Sequence, residues 1–466
     1  MGRTSSELTY VVFCVGFACT GAPAPGGDHD ATPVDVSAPD AASSAPRAED
    51  AAPPSEDAGF CSGSGPVVEL PLPSPETPRE SCAGGVAERV FTYALCTCED
   101  LSLAGFLQTR SRDSGRPGED SVAAGAAVGL NRDYRSGSYT DVGGSFTVAG
   151  TEGPLALAGF LDVRGDASIA SSMESAGYVS VARDAYVAGD IRLAGLLTVG
   201  RNLHQPPGRA LAAVPFVSGR RVSEPVTVAP PCDCPASPIV DVPALTEGAR
   251  TDNDNASIGL DPRALEAVVG DVEQTLPCGR YHLTSIGGLG RVRLAIRGRV
   301  ALFVSGDVQT VGALELDLAP DAEIDVFVAG TIRGVGWGRF GGGDRPAAVR
   351  VYVGGAEDIT LVGAESFVAN LYAPRARVLT DGAMFVEGAI FARAVEARGS
   401  LTVHYDRAIH RAGDDCPDVP PGLCEVCDGS CGSEACVDGE CGRCRSDADC
   451  CAPSVCLEGS CQSLLI

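Results

Sequence analysis

The chain has 466 residues, a formal charge of −26, 58 glycines and 20 cysteines, and its 35 basic side chains are all Arg. A balance this acidic lacks the basic footprint needed to wrap nucleic acid or to dock on anionic lipid by charge, so neither is expected as a partner. The length allows about three domains or one long repetitive one.

Residues 1–19 carry Arg3 ahead of an apolar run from Leu8 to Ala18, too short for a membrane span of ~20 residues and suited to an export signal. Cys19 follows Gly16-Phe17-Ala18, and this ending resembles the bacterial lipobox, which implies diacylglycerol on the Cys19 thiol. The expected address is therefore extracytoplasmic: an outer-membrane or cell-surface lipoprotein, otherwise a secreted protein, touching the membrane through the lipid alone. Residues 20–58 are Pro, Ala, Ser and Asp with almost no large apolar side chain, and read as a disordered acidic tether.

From 59 to 230 short alternating apolar runs recur. LAGFLDVRGDASI (157–169), SAGYVSVARDAYV (175–187) and LAGLLTVGRNLHQ (193–205) set Gly159, Gly177 and Gly195 at intervals of 18, and likewise Val163, Val181 and Val199, and Asp166, Asp184 and Asn202. Alternation within a unit is a strand signal, and 18 residues divide into three short strands with Gly, Asp or Asn at the corners. The fold expected is all-β: a parallel β-helix in which the three valines stack, one coil every ~4.8 Å. A second β-helical half, residues 278–410, carries FVSGDV, FVAGTI, VYVGGA, FVANLYAP and FVEGAIFA with insertions, among them the Gly-rich 336–343. The connector, 231–277, contains LDPRALEAVVGDVEQTLP, which reads as a short amphipathic helix with Asp261 as N-cap and Leu265, Val268, Val269 and Val272 on one face.

The LxVxGD-type repeat over roughly 100–205 resembles the bactofilins, polymer-forming β-helix proteins. GRYHLTSIGGLGRVRLAIRGRVALFVSGDV, FVANLYAPRARVLTDGAMFVEGAIFA and HYDRAI are similar to an uncharacterised β-helical domain of bacterial surface and pilus-assembly-type proteins. That resemblance implies a fold and an extracytoplasmic setting, and brings no catalytic residues with it.

Residues 411–466 form a cysteine-rich module, and RSDADCCAPSVCLEGSCQ within it resembles small Dickkopf-like secreted modules. Its cysteines are Cys416, Cys424, Cys427, Cys431, Cys436, Cys441, Cys444, Cys450, Cys451, Cys456 and Cys461. The CxxC pairs admit a zinc reading, but no His lies among them and an exported chain favours disulfides. The body holds Cys61, Cys82, Cys96, Cys98, Cys232, Cys234 and Cys278. With Cys19 lipidated and Cys14 removed, 18 cysteines remain, an even number; the odd counts in body and tail then require an odd number of bridges between them, with Cys416 a candidate. Cys96 and Cys98 are expected to join Cys232 and Cys234.

Other constellations are weaker. Asp252, Asp254 and Asp261 offer calcium-type oxygens without an EF-hand pattern, and a polar turn explains them as well. Trp337, Arg339 and Phe340 in the Gly-rich segment suit stacking on a sugar or a partner, against plain packing on the rod. His404, Tyr405 and Asp406 could serve acid/base work, but a structural end-cap accounts for them better. No cofactor is expected. The reading is a non-catalytic surface protein, structural or adhesive, that presents a β-helical rod to a protein or polysaccharide of the cell envelope. The alternatives are a polysaccharide-binding or polysaccharide-cleaving β-helix, in which acidic and Arg residues gather on one lateral groove, and a self-assembling envelope scaffold with uncapped coil ends.

Overall fold

Strands of three residues dominate residues 95–223, nearly all buried, exposed or half-buried, then buried, as in Leu161–Val163, Ala167–Ile169 and Val179–Val181. Such strands are too short to stand alone, and each pairs in parallel with the strand one coil before and one coil after it. The computed structural model describes Cys61, most of residues 86–412 apart from 88–89, 117–125, 235–238, 336–338 and 363–365, and short pieces of the tail. Over these residues it is a parallel β-solenoid with two short helices, α1 (Val242–Ala249) and α2 (Asn255–Ile258). Among the described residues no helix is long and apolar enough to cross a membrane.

Val163, Val181 and Val199 are consecutive partners across three coils and are buried. The 18-residue interval is thus one turn of the solenoid. At the corners Asp166, Asp184 and Asn202 form a second column: the Asp184 amide donates to Asp166 Oδ1 (3.0 Å), Asn202 to Asp184 Oδ1 (2.9 Å) and Arg220 to Asn202 Oδ1 (3.0 Å). These side-chain oxygens satisfy corner amides that the strand ladders leave free.

The two halves do not follow one another along the axis in sequence order. The coil of residues 95–112 pairs on one side with residues 128–142, and on the other with the last coil, through Leu95↔Ile390, Leu101↔Val395 and Leu107↔Leu401. The rod therefore runs from the 271–283 strand through successive coils to 390–406, crosses this seam, and continues from 95 out to 223. Ion pairs and hydrogen bonds lace the seam: Arg393 to Glu99 (2.8 Å), Arg112 to Glu387 (2.5 Å), Arg411 to Asp113 (2.6 Å), and Tyr405 Oη to the Phe91 carbonyl (2.5 Å).

The described parts of residues 224–258, 224–234 and 239–258, form a strap that returns along the outside of the rod, from one end to the other. The Glu224 amide donates to the Gln205 carbonyl near the 223 end. Asn131 exchanges two hydrogen bonds with the Cys232 backbone, and the disulfides Cys96–Cys232 and Cys98–Cys234 pin the strap at the seam. The Ile239 amide then meets Tyr372 Oη (3.2 Å), Pro243 packs over Gly354, and Asn255 brackets the His282 backbone with bonds of 2.7 and 2.9 Å. Beneath it lies an outward-facing column, Phe303, Phe327, Tyr352, Tyr372 and Phe391, with neighbouring centroids 5.0–6.1 Å apart. The strap keeps this apolar column from water.

Two expectations are corrected. The segment 260–277 is not a helix: residues 262–267 form turns, Val268 bridges Gly288, Val269 is exposed, and Asp271–Leu283 is a strand paired with Arg291–Val304. The end of a solenoid needs an edge strand there, and the alternation of Val272, Gln274 and Leu276 supplies one. The helices lie earlier in the strap, where Asp241 caps α1 by accepting from the Ala244 amide (3.1 Å). Secondly, the Gly-rich segment returns to the sheet at Arg339–Gly342, whose Phe340 pairs with Leu314 and Phe367.

In the tail, Ala435–Val437 pairs antiparallel with Glu440–Gly442, and Ser454–Leu457 with Ser460–Ser463. Cys444 is buried and disulfide-bonded.

Candidate binding face on the 95–223 segment

Each coil of the first segment turns a corner at a small residue and then points one side chain outward. At Gly177 an added Cβ would lie 2.2 Å from the Gly159 carbonyl oxygen, and at Gly105 it would lie 2.2 Å from that of Gly399. Only Gly lets successive coils approach this closely. The residue after the corner stands between a half-buried Gly or Ser and a buried strand residue, so alternation sends it to solvent. Phe106, Tyr139, Phe160, Tyr178 and Leu196 occupy this position on five successive coils, and Val214, between Ala213 and the exposed Pro215, continues their register on the sixth. All but the half-buried Tyr139 are 39–55% exposed, and Phe160 and Tyr178 stack at 4.5 Å and 23°. An exposed apolar column of this length is a departure from ordinary soluble surface.

A groove of about 640 Å³ runs along one flank of the column. Its lining includes the exposed position just before the corner on three successive coils, Gly137, Ala158 and Ala176, with Ala104 and Ala194 at the same position on the coils to either side, and its far wall carries Arg135, Glu174 and Arg192. Arg192 pairs with Glu174 (3.0 Å) and Asp190 (2.6 Å). On the other flank stands a polar column, Gln108, Asp141, Asp162, Ser180 and Thr198, in register coil to coil.

Asp141 is the most enclosed of these. Burial works against its charge, but the hydrogen bond from Arg110, with further help from Gln108 and Arg164, holds its carboxyl below the usual carboxylate value. Burial raises the Tyr139 phenol, and the nearby Asp141 and Asp162 charges push it the same way. Asp141 and Asp162 are neighbours on adjacent coils, but a carboxylate held ionised by guanidinium groups does not suit the proton-donor half of a glycosidase pair. The face offers rings, donors and acceptors for binding.

The sequence-derived candidates fall elsewhere. Phe340 is buried and stacked on Phe367 at 4.7 Å, so it is core and not an exposed stacking platform. Trp337 and the side chain of Arg339 lie outside the described residues, as do Cys19, Cys82, the tether and most tail cysteines. Asp254 accepts from the Arg280 amide (2.7 Å), Asp252 lies 3.6 Å from the Arg280 guanidinium, and Asp261 accepts from the Arg263 amide (2.9 Å). The three carboxylates thus serve separate local duties, and no group of three metal-ligating side chains gathers among the described residues. Tyr405 is buried with Oη bonded to Phe91 and His410, and Asp406 accepts from Ser114 and Ala408. Tyr405 and Asp406 thus fasten the seam, and His404 stands in register with Arg110 across it. Cys61 is joined to Cys278, beside the 271–283 edge.

The outward column went unread in the sequence, although the signal is there: LAGF, LAGF, SAGY and LAGL put Phe106, Phe160, Tyr178 and Leu196 directly after the repeating Gly.

Residues 235–412 match a protein family described as a domain of unknown function, DUF7305. In the structure this range holds the later part of the strap, both helices and every coil from the 271 end to the seam. The first segment, with the candidate face, lies outside the match and stacks on the matched region's final coil. No curated protein and no solved structure matches the chain.

Proposed function

We propose that the chain is a non-catalytic extracytoplasmic surface protein, a β-helical rod on a lipid-anchored acidic tether, whose first segment is an adhesive face. The observation that carries this reading is the column Phe106, Tyr139, Phe160, Tyr178, Leu196 and Val214, in register and exposed at every position but the half-buried Tyr139. Two further features support it. Cys61 is fastened to Cys278 at the 271 end, the end of the rod farther from the column. Disulfides that close loops of 136 residues suit an oxidising compartment.

The bactofilin-like and pilus-assembly-type resemblances enter only as a likeness of repeat and setting. For a self-assembling scaffold, the 223 end would have to accept another coil. There Arg221 stands in register with the core residue Leu203, an inward-facing charge of the kind that protects sheet edges, so that reading ranks behind adhesion.

The test has two parts. Full-length protein from a Gram-negative host, compared with Cys19→Ala, is expected to carry a diacylglyceryl mass and partition into detergent only when Cys19 is present. Cells displaying Phe160→Ser/Tyr178→Ser are expected to lose adherence at unchanged surface level. Soluble, unmodified wild-type protein sinks the tether, and unchanged adherence sinks the face.

A further inference from the structure

We propose that the groove beside the apolar column takes an extended, neutral glycan chain lying along the rod axis; this rests on the adhesive-face reading above. The groove repeats a small exposed residue at one position of each coil, at the interstrand spacing of ~4.8 Å, beside a wall position that runs over five coils from Ser102 to Arg192 and alternates in its polar group. A ladder of like subsites suits a polymer of like units, and the rise per sugar of an extended β-1,4-linked chain is close to one coil. A globular partner has no such translational repeat.

The floor bears nothing larger than a methyl group at Gly137, Ala158 and Ala176, a flat strip on which the C–H faces of pyranose rings can lie. Beside the groove, on the neighbouring column, Phe160 and Tyr178 stack on each other, which spends one face of each ring. Ring edges are the electropositive part of an aromatic and favour oxygen. Along the far wall Arg135 and Arg192 donate and Glu174 accepts, matching hydroxyl groups that do both.

Charge selects the class. The wall's Arg135 and Arg192 are offset by Asp133, Glu174 and Asp190, and the chain as a whole carries −26, so a polyanionic glycan is disfavoured. An extended peptide is disfavoured for another reason: it binds rods by adding a strand, and the groove's amides are already spent between coils, Gly137 to Leu103, Ala158 to Ser136 and Ala176 to Leu157.

Titration of the full chain with cellohexaose and chitohexaose, and with their disaccharides, tests this. At least one hexasaccharide should bind, with its disaccharide at least about tenfold weaker. Ala158→Gln/Ala176→Gln, which fills the floor at two exposed sites, should abolish binding while the melting curve stays that of the wild type. Failure of both hexasaccharides to bind, or binding indifferent to the filled floor, overturns the proposal. If that happens while Phe160→Ser/Tyr178→Ser still loses adherence, the glycan falls and the adhesive face stands; if adherence also persists, both fall. A dimer in sedimentation that Phe160→Ser dissolves would make a second copy the occupant and overturn the glycan.

Discussion

Leu95 stands in parallel register with Ile390, so the first strand of the rod rests on a strand from its last full coil. The chain closes on itself in the middle of the rod and not at an end. A permuted chain that joins residue 412 to residue 90 and opens the strap at 225–230 keeps every coil contact and both seam disulfides. It is expected to fold with the same strand signature and one cooperative melt. Two separate transitions would show that the seam does not couple the segments.

The two seam disulfides close the same loop, since each spans 136 residues. Loop entropy then counts nearly once. Cys98→Ser/Cys234→Ser alone is expected to cost little, and loss of both bridges about 4–5 kcal/mol. Denaturant midpoints of the single-bridge and double-bridge variants decide it; single-bridge costs that add up to the cost of losing both would contradict the shared-loop account.

Gly177→Ala pushes a methyl group against the Gly159 carbonyl, while Ala176 beside it is exposed. The expected cost at Gly177 is about 1–3 kcal/mol, against nearly none for Ala176→Ser, measured by thermal unfolding. Comparable costs would mean the coils separate easily at the corner.

His282 is buried under the strap, with Nε2 2.7 Å from Ser305 Oγ; burial, then the charge of Arg250, lowers its pKa below the usual 6.5, against the pull of Glu247. Burial lowers His404 as well, Arg112 and Arg110 acting the same way and Glu387 opposing. The unfolded chain therefore takes up protons near pH 6.5 before the folded one does. Stability from these groups is complete above that value and is lost as pH falls through the folded pKa. The melting temperature should drop between about pH 7 and pH 5, and His282→Gln should flatten the drop. An unchanged slope in that variant would remove His282 from the account.

Three bridges use six of the seven body cysteines and leave Cys82. If all 18 cysteines other than Cys14 and Cys19 pair, Cys82 bonds to the 411–466 module. Non-reducing peptide mapping should find a Cys82 peptide linked to a tail peptide; a free Cys82 thiol would refute full pairing.

The coil was legible because side chains that stack must recur at a fixed interval, as Val163, Val181 and Val199 do. Segment order was not, because a parallel coil edge accepts any other: nothing in Leu95 or Val128 distinguishes the coil below from the coil above. Phe340 misled because its Gly neighbours read as loop, whereas Leu314 and Phe367 on either side claimed it for the core. The exposed column was written one residue past the repeating Gly of each unit, where an exposed aromatic looks like any other strand residue until the coils are stacked.

Emerging from its N-terminus, this chain builds outward from the seam to the 223 end, then must lay the strap back and start again at the far tip. The coil made last, 390–406, is the keystone that lands on residues 95–112, made first. Contacts this distant in sequence form slowly, and until they form the 95–112 coil has an unpaired edge. A chain broken off anywhere before residue 390 keeps that edge open, so completion of the rod is also what ends its exposure to aggregation.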